Sequence, residues 1–319
     1  MFKSEVIEDN DIFQKQISQF QSSFLQSVNW SEFKKIYGWD NIKILFKKEN
    51  EVLGFTIILV RKIKFFRFFY IPRGPIIEDR YLEAALSQIE KIAKSNKASV
   101  LKIEPDLLDS EKYIQYFRNY KKTDDFIQPV YTALIDLSKT KEELIKNIPS
   151  KKRGRIKNKF NLVFEETDNI NDFFTVYKNN AENSNFKSRD IDYFQNLLKQ
   201  FKGGVKMFKV LYEKEIISAS FNIIYKNHMT YLYSGSNKKY NNMYPGYFLV
   251  FNTMLWGSEQ NIKSYDLWGI SEENKSWEGF SEFKLNIGGS PFKFLGSFDL
   301  YINPLYAYVY KFKKGKMQI

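Results

Sequence analysis

The chain has 319 residues, of which 43% are hydrophobic, and 49 Lys and Arg against 37 Asp and Glu give it a formal net charge of +12. This length suggests about two domains with sizeable cores. There is no cysteine, which excludes disulfides, a cysteine nucleophile and thiolate metal sites. The single His228 leaves too few ligands for a histidine-based zinc site, so we predict no metal.

The amino terminus, Met1–Gln14, is acidic and has no apolar core, so the sequence predicts no signal peptide. No segment approaches the roughly 18 uncharged apolar residues that a membrane-spanning helix needs. We therefore expect a cytoplasmic protein.

In the first half, the sequence predicts a hairpin, a third strand that ends at a glycine turn, a helix, and a fourth strand that ends at a carboxylate. These elements are Ile42–Lys47, Glu51–Ile63, Phe65–Ile71, Asp79–Lys94 and Ser99–Glu104. The helix is indicated by apolar residues at a 3.6-residue period, and the strands by β-branched and aromatic runs between turn residues.

A strongly basic segment follows in the middle of the chain. The stretch Thr140–Glu143 reads as a capping box that begins a short helix. From Lys146 to Lys159, seven of fourteen residues are Lys or Arg and none is acidic. We expect a second, basic helix that begins at Ser150. A block of one charge sign favours a polyanionic partner, although a solvated Lys-rich helix would have the same composition.

The second half repeats the plan of the first. A hairpin, a strand with a glycine end, a helix and a strand with a carboxylate are predicted at Met207–Tyr212, Ile216–Tyr225, Met229–Tyr233, Pro245–Glu259 and Ser264–Trp268. This repetition predicts an α+β protein made of two similar domains.

An antiparallel meander followed by a helix and another strand is typical of acyl-CoA N-acetyltransferases. Such folds hold the CoA pyrophosphate on a glycine-rich turn before a helix. The nearest candidates, Pro72–Pro75 and Ser234–Ser236, lack the necessary run of small residues. The pattern therefore favours the fold and weakens the CoA interpretation.

Short segments along almost the whole chain resemble the FemABX peptidyltransferases. They are Leu25–Trp30 with Lys34, Tyr70–Pro75, Leu101–Pro105, Asp136–Ser138, Pro149–Lys157, Arg189–Phe194, Tyr231–Ser236, Tyr265–Gly269 and Phe283–Lys284. The resemblance implies two tandem acetyltransferase-like (GNAT-like) domains, each a mixed or antiparallel sheet flanked by helices, facing each other across a cleft. We expect the first over residues 1–146, with 296–319 packing back on it, and the second over 147–295, beginning with the basic helix.

Some members of that family insert a long coiled-coil arm in the second domain. Here Lys202-Gly203-Gly204 leads almost directly into the next strand, so the chain resembles the short, arm-free members.

The resemblance also implies an activity: transfer of an amino acid from aminoacyl-tRNA to the side-chain amine of the diamino acid in the peptidoglycan stem peptide. Aminoacyl-tRNA would be a co-substrate and no cofactor is expected. The implied partners are tRNA and a peptidoglycan precursor, which is nucleotide-linked or lipid-linked. We also expect peripheral contact with the inner face of the membrane. The protein is expected to be a monomer.

Residues with implied roles fall into two binding groups. The acceptor would contact Lys34, Arg189, Tyr193, Tyr233 and Phe283, and tRNA would contact Lys151, Lys152, Arg153, Arg155 and Lys157. Other interpretations remain open at this point: Lys34 as a solvated lysine, and Tyr193 and Tyr233 as core residues with satisfied hydroxyls.

Three further residues have implied catalytic roles. The Lys284 ammonium would stabilise the oxyanion that forms when an amine attacks the tRNA ester; the alternatives are a tRNA anchor and a structural salt bridge. Glu104, or a phosphate of the substrate, would accept the amine proton. Asp266 would either take part in catalysis or cap its own turn, as Asp commonly does.

Two other functions fit the sequence less closely. One is an N-acyltransferase of the same fold that uses acyl-CoA or an acyl carrier protein. The other is a non-catalytic RNA-binding protein, suggested by the charge and by an 18% aromatic content.

Overall fold

The computed structural model describes residues 1–184, 188–271 and 278–303. The described chain divides into two compact units, one formed by residues 1–130 and 293–303, the other by residues within 131–292. Each unit is built on one sheet with helices packed against it, so the predicted α+β class is confirmed.

The strands are named in chain order. They are β1 (Phe2–Val6), β2 (Asp40–Lys48), β3 (Glu51–Ile63), β4 (Phe66–Pro72), β5 (Ile76–Ile77), β6 (Val100–Glu104), β7 (Lys121–Thr123), β8 (Tyr131–Asp136), β9 (Val163–Thr167), β10 (Val205–Tyr212), β11 (Glu215–Tyr225), β12 (His228–Ser236), β13 (Ser264–Ile270), β14 (Ser290–Lys293) and β15 (Ser297–Tyr301).

The helices are named in the same way. They are α1 (Asn10–Ile17), α2 (Val28–Ile36), α3 (Asp79–Ser95), α4 (Glu111–Ile114), α5 (Lys141–Asn147), α6 (Ile170–Ser184), α7 (Ile191–Gln200), α8 (Pro245–Glu259) and α9 (Glu278–Asn286). Short 3₁₀ helices cover Phe24–Gln26, Gln115–Phe117, Ser150–Arg155 and Lys238–Met243. None of the helices within the described ranges is both long and apolar enough to cross a bilayer.

The two sheets share a central arrangement. In the first unit the strand order is β1-β2-β3-β4-β6-β15-β7, and in the second it is β14-β8-β13-β12-β11-β10-β9. Each sheet contains a parallel pair, β4 with β6 in the first and β12 with β13 in the second, and the intervening helix is α3 or α8. The repeated hairpin–strand–helix–strand plan read from the sequence is therefore present in both units.

The crossover helices explain why this plan could be recognised. In α3, Leu82, Ala85, Leu86 and Ile89 are all buried and pack on the core of the first unit. In α8 apolar residues are buried on nearly every side, as expected of a helix that is hydrophobic all round.

The boundary between the units differs from the expected one at residue 146. Strand β8 pairs with β13 and so belongs to the second sheet, whereas β15 returns from the end of the second unit to pair with β6 and β7. The first sheet thus takes β15 from beyond its continuous stretch of chain, in the segment 296–319 that was expected to return to it. The second sheet begins earlier than expected, with β8, whose pairing is decided by distant residues and has no local sequence signal.

A buried ion pair fixes the returning strand β15. The Lys102 ammonium on β6 lies 2.8 Å from Asp299 Oδ1, and both side chains are fully buried. Lys102 also donates to the Asp125 carbonyl at 2.7 Å and to Ser297 Oγ at 3.0 Å. Burial raises the pKa of Asp299, and the neighbouring ammonium opposes that rise. Removing one member of such a pair leaves an uncompensated buried charge.

We therefore expect Lys102→Met to lower the free energy of unfolding by about 3–5 kcal/mol, measured by urea denaturation. The exposed Lys91 on α3 supplies the control, since Lys91→Met should change that energy by less than about 0.5 kcal/mol. Equal stabilities of the two variants would contradict a role for the pair in holding β15.

Candidate functional site

The parallel strands of the second unit stop pairing before they end. The ladder between β12 and β13 ends at Thr230 opposite Asp266, although β12 continues to Ser236 and β13 to Ile270. In the first unit the corresponding ladder extends to the last residue of β6, where Pro72 lies opposite Glu104. In the second unit, therefore, the carboxyl-terminal ends of β12 and β13 separate from each other, while each still pairs with its other neighbour, β11 or β8.

A bulge reshapes β13 at this point. Its register with β8 shifts between Asp266 and Gly269, and Trp268 has a φ of 63°, which a bulky residue rarely adopts. Asp266 Oδ1 accepts the Trp268 amide at 2.7 Å and the Thr132 hydroxyl. Asp266 thus makes the local turn bond considered from the sequence, and this bond stabilises the bulge.

The bulge presents two carbonyl oxygens to Lys284. The Lys284 ammonium donates to the Gly269 carbonyl at 2.7 Å and lies 3.4 Å from that of Trp268. Burial lowers the pKa of Lys284 to about 8, against the opposing effect of the Asp266 carboxylate. The ammonium is thus held by neutral oxygens in a half-buried position, where burial favours its neutral form more than water does.

Helix α9 is anchored at both ends, which fixes the position of Lys284. Ser281 Oγ donates to the Ser271 carbonyl and accepts the Ser271 amide, at 3.0 and 2.9 Å. At the other end the Gly289 amide donates to the Lys284 carbonyl, and a Cβ at Gly289 would lie 2.6 Å from that oxygen. Only glycine fits there. The sequence loop Glu272–Trp277, which precedes the helix, lies outside the described residues.

The basic segment lies beside this helix. Lys152 forms an ion pair with Glu282 at 3.1 Å, which lowers the pKa of that carboxyl. Arg155 donates to the Tyr247 hydroxyl at 2.9 Å and stacks on the rings of Tyr244 and Tyr247. Tyr247 in turn packs edge-on against Phe283, with ring centroids 4.9 Å apart. A chain of direct contacts therefore joins the basic segment to the residue that precedes Lys284.

The expected basic helix begins at Ser150, but it is a short 3₁₀ helix that ends at Arg155. Gly154, a weak helix former, lies at its end. Arg153 is used internally, since it donates to the carbonyls of Ile148 and Lys146 at 2.9 and 3.0 Å. Lys151 and Lys157 are exposed.

A tyrosine pair and an arginine form a second cluster in this unit. The Tyr233 hydroxyl donates to that of Tyr193 at 3.1 Å, and both rings pack edge-on against the buried Phe194. Arg189 precedes α7 instead of lying on it, yet its guanidinium lies 5.0 Å from the Tyr193 ring. The rings belong to the core, and the exposed guanidinium lies at its edge.

Lys34 and Glu104 belong to the first unit. The Lys34 ammonium lies 5.1 Å from the centre of the Trp39 ring, and Arg61 lies 5.4 Å from the same ring. Glu104 is 1% exposed and accepts three hydrogen bonds, from the Tyr70 hydroxyl and from the amides of Ile127 and Gln128.

The surroundings of Glu104 bear on its chemistry. Burial and the neighbouring carboxylate raise the pKa of Tyr70 well above its usual value, so the phenol stays a donor. The three hydrogen bonds occupy both carboxylate oxygens, and through them Glu104 holds the 127–128 segment in place.

Several functional contacts were missed by sequence reasoning. Tyr70 lies in a segment that carries the family resemblance, but its partner Glu104 is distant in sequence. Thr132 and Tyr247 had no signal, because they reach the site through strand pairing and helix packing.

The two glycines considered as phosphate sites are explained by packing. A Cβ at Gly235 would lie 2.6 Å from the Val176 carbonyl oxygen, and one at Gly74 would lie 2.8 Å from the Gln26 side chain. Protein atoms therefore account for both glycines. Across the ranges that the structure covers, no three His, Asp or Glu side chains converge as metal ligands would.

Comparisons with known proteins agree with this architecture. A lipid II:glycine glycyltransferase of Staphylococcus haemolyticus is 22% identical over 407 aligned positions, which cover 98% of this chain and 96% of the relative. The Staphylococcus aureus protein of the same name is 28% identical over 211 positions, 60% of this chain and 49% of the relative. The first alignment is longer than this chain, so the relative carries insertions that are absent here. In this structure, only residues 201–204 separate α7 from β10.

Two solved structures share the fold. The crystal structure of FemX superposes with a TM-score of 0.86, at 20% identity over 96% of this chain and 99% of that one. A tandem GNAT protein from the clavulanic acid pathway has a TM-score of 0.56, at 9% identity over 94% and 98% of the two chains. The predicted pair of GNAT-like domains is thereby confirmed. The FemAB family model matches residues 7–124, 115–213 and 205–314. This chain is therefore a member of the FemAB family.

Proposed function

We propose that the protein is an aminoacyltransferase that adds an amino acid from aminoacyl-tRNA to the side-chain amine of the diamino acid in a peptidoglycan stem peptide. The observation that carries this proposal is the direct linkage of the basic segment to Lys284 through Arg155, Tyr247 and Phe283. A tRNA bound on that segment would have its acceptor end near a positioned ammonium. The names of the staphylococcal relatives, lipid II:glycine glycyltransferases, support an acceptor of the peptidoglycan precursor class.

The proposed chemistry needs no enzyme nucleophile. The acceptor amine attacks the ester carbonyl carbon, and the tetrahedral intermediate carries a negative oxygen that the Lys284 ammonium stabilises. Collapse of the intermediate forms the amide and releases the ribose hydroxyl of the tRNA. The Trp268 and Gly269 carbonyls hold the ammonium before the charge develops, which is the condition for effective electrostatic stabilisation.

The attacking amine must first lose a proton, because its usual pKa is near ~10.4. An acceptor amine would have little access to Glu104, because this side chain is 1% exposed and both of its oxygens already accept hydrogen bonds. We therefore favour a phosphate of the acceptor itself. In this proposal Lys34 and Arg189 contact anionic oxygens of the acceptor, and Tyr193, Tyr233 and Phe283 line its path. Asp266 acts through the bulge that positions Lys284.

The function is tested by incubating the protein with a precursor and a mixture of charged tRNAs, and by following the precursor's mass. We expect an increase by one or more amino-acid residues that disappears after RNase treatment. Transfer that persists after RNase and depends on acyl-CoA or an acyl carrier protein would support the other acyltransferase. Binding of tRNA without any change in precursor mass would support a non-catalytic RNA-binding protein.

For the tRNA surface, we expect the double variant Lys151→Glu and Lys157→Glu to weaken tRNA binding. The slope of log K against log salt should become shallower by about 2–4, because two phosphate contacts are lost and two like charges are added. Filter binding at several salt concentrations measures this. The matched control is Lys199→Glu with Lys202→Glu, which makes the same charge change on exposed lysines at the end of α7. Equal losses in both double variants would mean that only net charge matters.

For the catalytic lysine, we expect Lys284→Met to lower the single-turnover rate by roughly 10²–10³ at saturating substrates. The charged fraction of Lys284 falls as pH rises through its pKa of about 8. The ammonium's contribution to the rate should therefore decline above that pH. In Lys284→Arg the side chain stays charged, so the activity that depends on this charge should persist to higher pH.

The exposed Lys263 provides the control variant, Lys263→Met, with an unchanged rate. If the transfer rate of Lys284→Met recovered at high tRNA concentration, Lys284 would be a tRNA anchor and not a catalytic residue. A lower melting temperature with normal chemistry would make it structural.

A further inference from the structure

The turn between β3 and β4 exposes an aromatic side chain. Lys64 and Phe65 form a two-residue turn, and Phe65 is 96% exposed. Lys64 has a φ of 55°, a conformation for which hairpin turns favour glycine or asparagine. Single exposed apolar residues are common on protein surfaces, so the significance of Phe65 depends on what surrounds it.

The charged residues of this hairpin end, Arg61 to Arg67, are all basic. From Val52 to Ile77 the sequence contains no Asp or Glu. Lys62 and Arg67 lie directly opposite each other in the ladder, an arrangement of like charges that destabilises a strand pair. Arg67 donates to the Asn96 carbonyl at 3.0 Å. Among the described residues, no carboxylate lies within ion-pair distance of Lys62, Lys64 or Arg67. This repulsion would be relieved by a polyanionic partner.

The other end of β3 shows that this is not a general property of the hairpins. The turn between β2 and β3 combines Lys48 with Glu49, Asn50 and Glu51, and has no aromatic residue. The two turns belong to the same strand and are both exposed, so their different composition points to a specific use of the β3–β4 turn.

The basic surface continues towards Lys34. Arg61, at the base of the hairpin end, and Lys34 both lie against the Trp39 ring, at 5.4 and 5.1 Å. Phe65 lies four positions after Arg61, a distance of about 13 Å along a strand. An interfacial side chain enters a bilayer by ~5–10 Å. A membrane reached by Phe65 would thus have its headgroups near Arg61 and Lys34.

We propose that the β3–β4 turn docks the protein on an anionic lipid surface, with Phe65 among the acyl chains and Lys62, Lys64 and Arg67 at the headgroups. The inference rests on the proposed function and deepens it, because docking would bring Lys34 to the diphosphate of a lipid-linked acceptor. A membrane is favoured over RNA because a single aromatic at a protruding tip forms a wedge. Proteins that bind single-stranded nucleic acids instead use several aromatic side chains, on which successive bases stack.

Flotation of the purified full chain with vesicles tests the proposal. We expect binding to phosphatidylcholine vesicles that contain phosphatidylglycerol, and little binding to phosphatidylcholine alone. Phe65→Ser should weaken binding tenfold or more, because the aromatic ring no longer leaves water. Each of Lys62→Glu and Lys64→Glu should weaken it at least fivefold, about the contribution of one cation near an anionic surface.

Two control variants change similar side chains elsewhere in the first unit. Ile12→Ser removes a 55% exposed apolar side chain from α1, and Lys48→Glu reverses a charge at the other end of β3. Both should bind vesicles as the wild type does, and melting temperatures should be equal throughout. The proposal would be overturned if the wild type did not bind the vesicles. It would also be overturned if the control variants bound as weakly as the hairpin variants. Hairpin variants that lose tRNA binding while they keep vesicle binding would overturn it as well.

The acceptor assay separates this inference from the proposed function. Hairpin variants should lose transfer to a lipid-linked acceptor in vesicles but keep transfer to a soluble nucleotide-linked precursor. Equal transfer by the wild type and the variants to the vesicle-bound acceptor would overturn a docking role. Vesicle binding by a wild type that transfers to neither acceptor would refute the proposed function and leave the docking surface intact.

Discussion

The proposed site depends on one interaction, the capture of the Lys284 ammonium by the carbonyls of a β-bulge. A regular strand would direct the Trp268 and Gly269 carbonyls along the sheet, where a neighbouring strand would use them. The bulge, stabilised by Asp266, releases both oxygens for Lys284. Because neutral oxygens and not a carboxylate hold the ammonium, its charge remains available to a negative oxygen of the substrate.

The same plan has a different outcome in the two units. In the first unit, β4 and β6 pair to the end of β6. There Glu104 accepts hydrogen bonds from Tyr70 and from the 127–128 segment, which covers the strand ends. In the second unit, the pairing between β12 and β13 stops at Asp266. In one copy of the repeated fold, the ends of the parallel strands are therefore paired and covered. In the other copy they separate and leave room for a titratable group.

Local pattern predicted the parts of this architecture that depend on local physics. The hairpins, α3 and α8 follow from side-chain periodicity and turn residues, and the capping box at Thr140 is present. The return of residues 296–319 to the first domain was expected from the family resemblance, and β15 lies in this segment. The place of β8 in the second sheet was not predicted, because its pairing with β13 depends on residues far away in sequence. At the candidate site, the proposed role of Lys284 comes from the family resemblance and stays a prediction. The bulge beneath it depends on an unfavourable φ at Trp268 that no sequence pattern indicates.

The most direct test of this account is the pKa of Lys284, measured by NMR titration of protein labelled at the lysine Cε, with Lys284→Met to assign the signal. The account predicts a pKa of about 8. It also predicts a lower value in Asp266→Asn, because that change removes the carboxylate that favours the charged form. An ordinary lysine pKa near ~10.4, unaffected by Asp266→Asn, would contradict a partly desolvated ammonium held on the bulge.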